Sequence, residues 1–189
     1  MREIVLVTTN KAKTEEIADL LSHYQIQVKL AAEEKLEIQS HDLKEIVRYA
    51  AADLVGKIAK PYLLEDAGLF VDALNGFPGP YSSYVFKTVG AQGILAILAG
   101  SPNRGAEFRS AVAFHSDRTG LKVFEAVARG KIASHALGTG GFGFDPIFVP
   151  DEGSGKTFAQ MSVQEKNRYS HRAKAVRMFA EWSAGSDNT

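Results

Sequence analysis

Asn10, Lys11 and Lys13 follow an apolar run at a point where a strand should give way to a helix. The free N–H groups and the positive dipole end of a helix attract anions, and Lys13 would add a charge able to reach a phosphate. The glycines of a P-loop are missing, so that motif is excluded. The segment predicts either an anion site or simply a helix that Asn10 caps, with its lysines in solvent.

Carboxylates occur at two further places, at Glu37 and at the pair Glu65 and Asp66, which follows an apolar strand. Burying a carboxylate is costly unless it is paired or bound to a cation. Oxygen ligands without cysteine suit Mg²⁺, which is usually shared with substrate phosphates. These acids therefore indicate a magnesium site, or else a plain β-turn at 66–68 and a surface position for Glu37.

A glycine-rich segment at 141–145 places Phe142 and Phe144 on either side of Gly143, followed by Asp145. Aromatic faces can stack on a nucleobase, which contributes about 1–3 kcal/mol per base. A carboxylate next to them could accept hydrogen bonds from the N–H edge of a heterocycle. The segment indicates a base-binding wall, or else aromatic side chains that fill the core.

Basic side chains gather near the end of the chain, at Lys166 and in the run Ser170-His171-Arg172. Arg172 offers a planar fork of donors to an oxo or phosphate oxygen, and His171 can also donate. The alternative is a basic first turn on the last helix. Positive charge at a helix N-terminus is unfavourable unless an acid or a ligand compensates it. This consideration favours the binding interpretation.

The composition excludes several kinds of chemistry. The 189 residues contain no cysteine, so thiolate zinc sites, disulfides and cysteine nucleophiles are excluded. Basic and acidic residues number 22 each, which argues against a dedicated duplex-DNA binder. No apolar run approaches the roughly 18 residues of a membrane span, and the start does not resemble a signal peptide. We therefore expect a soluble cytoplasmic protein without nucleic-acid or membrane partners.

Hydrophobic periodicity predicts the elements that would position these residues. The predicted strands span 4–7, 26–30, 62–64 and 69–71, with a hairpin formed by 108–114 and 122–128. The predicted helices span 13–22, 42–58, 94–98 and 171–182. This mixture indicates an α/β fold. At about 150 residues per domain, the length predicts one domain over 1–189, ending in a frayed polar tail at 183–189.

Five segments in order along almost the whole chain resemble the ITPase family of inosine and xanthosine triphosphate pyrophosphatases. Each would be a weak signal alone, whereas five in the right order are specific. They are VLVTTNKAK (5–13), EDAGL (65–69), LNGFPGPYS (74–82), GFGFDPIF (141–148) and EKNRYSHR (165–172).

The resemblance implies an elongated α/β fold, with a long curved mixed sheet between two helical lobes and a central cleft. It implies a Mg²⁺-dependent homodimer that hydrolyses ITP, dITP and XTP at the α–β phosphoanhydride to the monophosphate and pyrophosphate. Asp66 matches the family's proposed general base, and Glu37 and Asp66 are the implied metal ligands. The implied substrate-binding residues are Thr8, Thr9, Asn10, Lys11, Ala12, Lys13, Ala67, Phe142, Gly143, Phe144, Asp145, Lys166, His171 and Arg172.

Two positions depart from the family pattern. Glycine is more usual at the position of Thr9, and serine or threonine is more usual at that of Ala67. The second change removes a hydroxyl from the catalytic segment, which would lower turnover if that hydroxyl binds phosphate or orients water. Two alternatives stay open: a pyrophosphatase of similar architecture for other modified nucleotides, such as modified pyrimidine triphosphates, and, because of Ala67, a nucleotide sensor without catalysis.

Overall fold

The computed structural model describes residues 2–59 and 61–186. Strands β1 to β7 in this part of the chain span Arg2–Val7, Ile26–Ala31, Tyr62–Val71, Pro78–Gly79, Gly105–Ser116, Gly120–Ile132 and Phe148–Pro150. Helices α1 to α6 span Lys11–Ser22, Leu43–Asp53, Ser82–Thr88, Gly90–Ile97, Val163–Tyr169 and His171–Ser186. Short 3₁₀ turns lie at Asp72–Leu74, Asp145–Ile147 and Phe158–Gln160.

The strands form one mixed sheet in the order β2-β1-β3-β5-β6-β7, with β4 paired to β3. Strand β1 runs parallel to both β2 and β3, whereas the remaining pairs are antiparallel. The parallel connections carry α1 and α2, and the predicted hairpin is formed by β5 and β6. The predicted mixed α/β fold is therefore confirmed.

Helices cover both faces of this sheet. Because successive strand residues point to opposite faces, Leu63 packs in one core with α1 and α6, while Leu64 packs in another with α2. A third core gathers Leu69 and Phe148 with residues of α4. The apolar stripe of each helix thus fixes which side of β3 it lies on, and α1 and α6 share one face.

Strand β3 differs from its prediction, because it is one continuous strand and not two strands around a turn. Asp66 pairs with Ala111 of β5, and Ala67 pairs with Ser110. The long partner strand supplies hydrogen bonds through the whole segment, which local turn propensity could not reveal. The plain β-turn proposed for 66–68 is therefore wrong, and Asp66 is held rigidly within a sheet.

Gly68 lets the backbone of β4 approach β3 closely. A Cβ atom at this position would overlap the carbonyl oxygen of Gly79. We expect Gly68→Ala to lower the free energy of unfolding by about 2 kcal/mol, because backbone atoms must shift to make room. Urea unfolding measures this change. Gly185→Ala is the control, since among the described residues its added Cβ would meet nothing within 4 Å beyond its chain neighbours and its own helix backbone. Equal stability of the two variants would contradict this explanation.

The ends of two helices also differ from prediction. Helix α2 stops at Asp53, short of residue 58, and Gly56 beyond it has a φ of +80°. Helix α6 continues to Ser186, and the buried Ser183 hydroxyl accepts a hydrogen bond of 2.6 Å from Arg2. The predicted tail is therefore wrong for 183–186, while 187–189 lie outside the described residues. No helix in 2–59 or 61–186 is long and apolar enough to cross a membrane.

Candidate active site

A cavity of about 680 Å³ gathers side chains from distant parts of the chain. Its walls come from the β1–α1 turn, from β3 and α3, from the 142–145 segment and from the start of α6. Most of the residues proposed from the sequence line it: Thr8, Thr9, Asn10, Lys13, Glu37, Asp66, Ala67, Phe142, Gly143, Phe144, Asp145, His171 and Arg172.

Three of the proposed substrate-binding residues are absent from this wall, namely Lys11, Ala12 and Lys166. Residues 11 and 12 lie in the first turn of α1, where the helical rotation turns them away from the side shared by Asn10 and Lys13. Lys166 is buried behind the wall, with Nζ 2.6 Å from Glu16 Oε1 and 2.6 Å from Asp145 Oδ2. It supports cavity residues instead of facing the cavity.

The β1–α1 turn contains the predicted helix cap and also brings Lys13 to the cavity wall. Asn10 does cap α1, since its Oδ1 accepts a hydrogen bond from the N–H of Lys13 at 3.2 Å. The lysine side chain is nevertheless not in solvent, because its Nζ lies 2.9 Å from Glu65 Oε2 and 3.9 Å from Asp66 Oδ1. The cap therefore aims Lys13 at the two acids of β3.

Glu65 is a buried charge behind the cavity lining, where it contacts residues that do line the cavity. Its buried carboxylate accepts a hydrogen bond of 2.6 Å from Ser110 and lies 3.1 Å from Arg172 Nε. Burial alone would raise the pKa of Glu65, but the charges of Arg172 and Lys13 hold it well below its usual range. Glu65 therefore stays ionised and fixes both cations.

A second buried acid, Glu16 of α1, holds the other side of Arg172. Its two oxygens lie 2.6 Å from Lys166 Nζ and 2.5 Å from Arg172 Nη1. Burial opposes ionisation of Glu16, yet Arg172 and Lys166 lower its pKa overall. His171 and Arg172 thus form a basic first turn of α6, as the alternative predicts, and buried acids compensate its charge.

His171 presents a flat ring between the core and the cavity. The ring stacks on Phe108 with centroids 4.5 Å apart and planes 9° from parallel. Burial lowers the pKa of His171 well below its ordinary value, and the charge of Arg172 lowers it further. The imidazole is therefore neutral, with one donor and one acceptor nitrogen.

This neutral histidine predicts a pH dependence of stability. The unfolded chain binds the proton of this group near pH ~6.5, whereas the folded chain binds it only at lower pH. Folding then becomes less favourable as the pH falls below about 6.5, by up to roughly 1.4 kcal/mol per pH unit from this group. We expect His171→Gln to flatten the slope of unfolding free energy between pH ~6.5 and ~5.5; an unchanged slope would contradict a buried neutral ring.

The 141–145 segment forms one end of the cavity. Asp145 Oδ2 accepts a hydrogen bond of 2.8 Å from the N–H of Phe142, and burial raises the pKa of its carboxyl despite the nearby Lys166. Gly141 adopts a φ of +66°, where an added Cβ would overlap that carboxylate. Phe144 belongs to a buried core, as the alternative interpretation predicts, and it also lines the cavity.

Asp66 and Glu37 contribute carboxylates to one part of the cavity lining, which we call the acidic end. Asp66 is largely buried, and burial raises its pKa, although Lys13 and Lys35 oppose the rise. Lys35 Nζ lies 3.7 Å from Glu37 Oε1 and donates to the carbonyl of Glu65 at 3.1 Å. Burial, and next the charge of Lys13, lower the pKa of Lys35. This end can therefore accept a proton and offer carboxylate oxygens to a cation.

The donor set at this end suits a hard cation. Glu37 and Asp66 both border the cavity, and the Glu37 side chain is mostly exposed, so it can turn towards a ligand. Across the described part of the chain, no three acidic or histidine side chains converge as a metal cage. A cation held here would need oxygens from water or substrate to complete its ligands, which is typical of Mg²⁺.

Several residues of this site were not predicted from the sequence. Glu16 could have been found, because it lies on the same helical stripe as Ile17 and Leu20 and should therefore be buried. Lys35 precedes Glu37 in a segment without regular structure, so no periodicity marks it. The wall contributed by α3 was also missed; it consists of Ser82, Ser83, Phe86 and Lys87.

Comparisons with known proteins identify the family to which this sequence is similar. The sequence model of the Ham1 family matches residues 4–182. A protein named dITP/XTP pyrophosphatase from Hyperthermus butylicus is 50% identical over 96% of this chain and 94% of its own length, and one of the same name from Pyrococcus horikoshii is 44% identical over 95% and 96%. The structure of a HAM1 protein from Coxiella burnetii has a TM-score of 0.83 at 29% identity, covering 98% of this chain and all of that chain.

Proposed function

Because this chain belongs to the Ham1 family, we propose that it hydrolyses deaminated purine nucleoside triphosphates to the monophosphate and pyrophosphate. ITP, dITP and XTP are the proposed substrates, and the α–β phosphoanhydride is the bond that is cleaved. Relatives with 41–50% identity are named dITP/XTP pyrophosphatase. The observation that carries the proposal is the single cavity that holds Lys13, Asp66 and Arg172 together.

The triphosphate would lie along the β1–α1 turn. The N-terminus of α1 offers N–H groups and its dipole to anions, and Lys13 is aimed there by the Asn10 cap. Lys35 lines the same end and adds a second positive charge. In this position the α-phosphorus would face Asp66, which we propose as the base that removes a proton from the attacking water.

We propose Mg²⁺ as the cofactor, held by Glu37 and Asp66. The ion would offset the charge of the phosphates and of the departing pyrophosphate. Asp66 would remain the group that orients and deprotonates water, because its burial raises its pKa and favours taking up a proton. Lys13 would stabilise the negative charge that develops on the phosphates.

The purine would lie at the other end of the cavity, against Phe142 and next to His171 and Arg172. The Nε and Nη1 atoms of Arg172 face Glu65 and Glu16, so Nη2 is the donor left for a ligand. A deaminated purine presents an oxo acceptor at C6, whereas adenine presents an amino donor there. Adenine would leave buried donors unpaired, and such polar mismatch can discriminate by about 10⁴-fold or more.

A nucleotide panel tests this proposal. We expect pyrophosphate release from ITP, dITP and XTP at kcat/KM values at least about 10²-fold above that for ATP, and loss of release when Mg²⁺ is removed with EDTA. Added Mg²⁺ should restore the activity. A preference for modified pyrimidine triphosphates, or binding of ITP without metal-dependent release, would contradict the proposal and favour the alternatives of a different pyrophosphatase or a sensor.

We also propose that the protein is a cytoplasmic homodimer. Aromatic and aliphatic side chains are exposed on neighbouring helices, with Tyr84 on α3, Val89 directly after α3 and Ile97 on α4. Contiguous exposed apolar surface is a frequent mark of a protein interface, and light scattering would measure the mass of the particle. The proposed location follows from the substrates, since the nucleoside triphosphates used for synthesis are held in the cytoplasm.

A further inference from the structure

We propose that Ser110 is a positioning residue. Through Glu65, it couples the binding of the base by Arg172 to the binding of the phosphates by Lys13. This inference rests on the proposed function, because it assigns Arg172 to the base end and Lys13 to the phosphate end. Ser110 is fully buried on β5 and does not line the cavity. Its influence on a ligand must therefore pass through another side chain.

The geometry identifies Glu65 as that side chain. The Ser110 hydroxyl donates to Glu65 Oε1 at 2.6 Å, and this is the bond that its Oγ makes among the described residues. Strand register favours the contact, because Ser110 is two residues from Val112, the partner of Glu65 across the β3–β5 pair, so both side chains project from the same face.

Glu65 in turn divides its two oxygens between the two cations that we assign to the base and to the phosphates. Its Oε1 lies 3.1 Å from Arg172 Nε, and its Oε2 lies 2.9 Å from Lys13 Nζ. A carboxylate that meets two cations on different oxygens has one orientation that satisfies both. Ser110 selects this orientation, because its hydroxyl occupies a fixed position beside Oε1 while Oε2 points to Lys13.

Removing the hydroxyl frees the carboxylate to rotate towards one cation and away from the other. Lys13 and Arg172 are then no longer held by one carboxylate of fixed orientation, and both side chains become less well ordered. A residue that only filled space on β5 would instead change stability and leave ligand affinities alone. The proposal therefore predicts that one small change weakens both the binding of the base and the binding of the phosphates.

Calorimetry on the intact protein in Mg²⁺ separates the ends without requiring turnover. Pyrophosphate reports the phosphate end, and the ratio of IMP to AMP affinity reports the base end. We expect Ser110→Ala to lower both the pyrophosphate affinity and the IMP:AMP ratio by about tenfold, the effect of losing one hydrogen bond to a charged group. Ser110→Thr, which keeps the hydroxyl, should restore both.

Ser183→Ala is the matched control, because Ser183 is a buried serine that accepts a hydrogen bond from Arg2 far from the cavity. Its affinities should equal those of the wild type. If circular dichroism shows that Ser110→Ala is unfolded, Ser110→Cys takes its place. Its thiol is a weaker donor, so the pyrophosphate affinity and the IMP:AMP ratio should both fall, each by less than tenfold. Unchanged affinities, or a loss at one end alone, overturn the linkage. A wild-type protein that binds neither pyrophosphate nor IMP would instead overturn the proposed function.

Discussion

Asp66→Asn should reduce pyrophosphate release from ITP by about 10³-fold while the protein remains folded. Asparagine has nearly the same shape, but its amide cannot take a proton from water. Because burial raises the pKa of Asp66, its charged form is unfavourable in the folded protein, and a neutral replacement is tolerated. We therefore expect the kcat of the variant to collapse without a fall in its thermal midpoint.

Asp42→Asn is a suitable control for this experiment. Asp42 caps α2 by accepting a hydrogen bond from the N–H of Lys44, and asparagine caps a helix about equally well. It does not line the cavity, so its activity should match the wild type. If Asp66→Asn kept wild-type turnover, the general base would have to be another group.

Arg172→Ala should damage both selectivity and stability. The ratio of kcat/KM for ITP over ATP should fall by roughly 10- to 100-fold, because the change removes a charged donor to the base. The variant also leaves the buried carboxylates of Glu16 and Glu65 without this partner. Breaking a buried ion pair from one side costs about 3–5 kcal/mol, so unfolding should need much less urea.

A second arginine of the same helix supplies the comparison. Arg177 donates to the carbonyl of Asn167 at 3.1 Å and stands away from the cavity wall. Arg177→Ala should lose about 1 kcal/mol of stability at most and keep the ITP:ATP ratio. An Arg172→Ala protein with unchanged selectivity would contradict direct reading of the base by this side chain.

Residues whose role depends on local order could be predicted from the sequence. The β1–α1 turn is an example, because Asn10 and Lys13 are three positions apart and must share one side of a helix N-terminus. The start of α6 is another, since His171 and Arg172 open a periodic apolar segment. The mixed α/β class followed from the alternation of these elements.

The features that could not be predicted from the sequence depend on contacts between distant segments. The continuous course of β3 through Asp66 depends on pairing with β5, about 45 residues away, as the Ser110–Glu65 bond illustrates. Lys166 has the charge and the motif expected of a substrate-binding residue. Its ion pairs with Glu16 and Asp145 nevertheless hold it behind the cavity wall. Which acid neutralises which base is settled by tertiary packing, and no local pattern encodes it.

The position of attack on the triphosphate tests the central claim most directly. That claim is that one cavity sets the α-phosphorus beside Asp66 while Lys13 and Arg172 hold the two ends of the same nucleotide. Hydrolysis of ITP in ¹⁸O-labelled water, followed by mass spectrometry, locates the new oxygen. We predict the label in IMP together with unlabelled pyrophosphate; label in inorganic phosphate together with IDP would contradict the account.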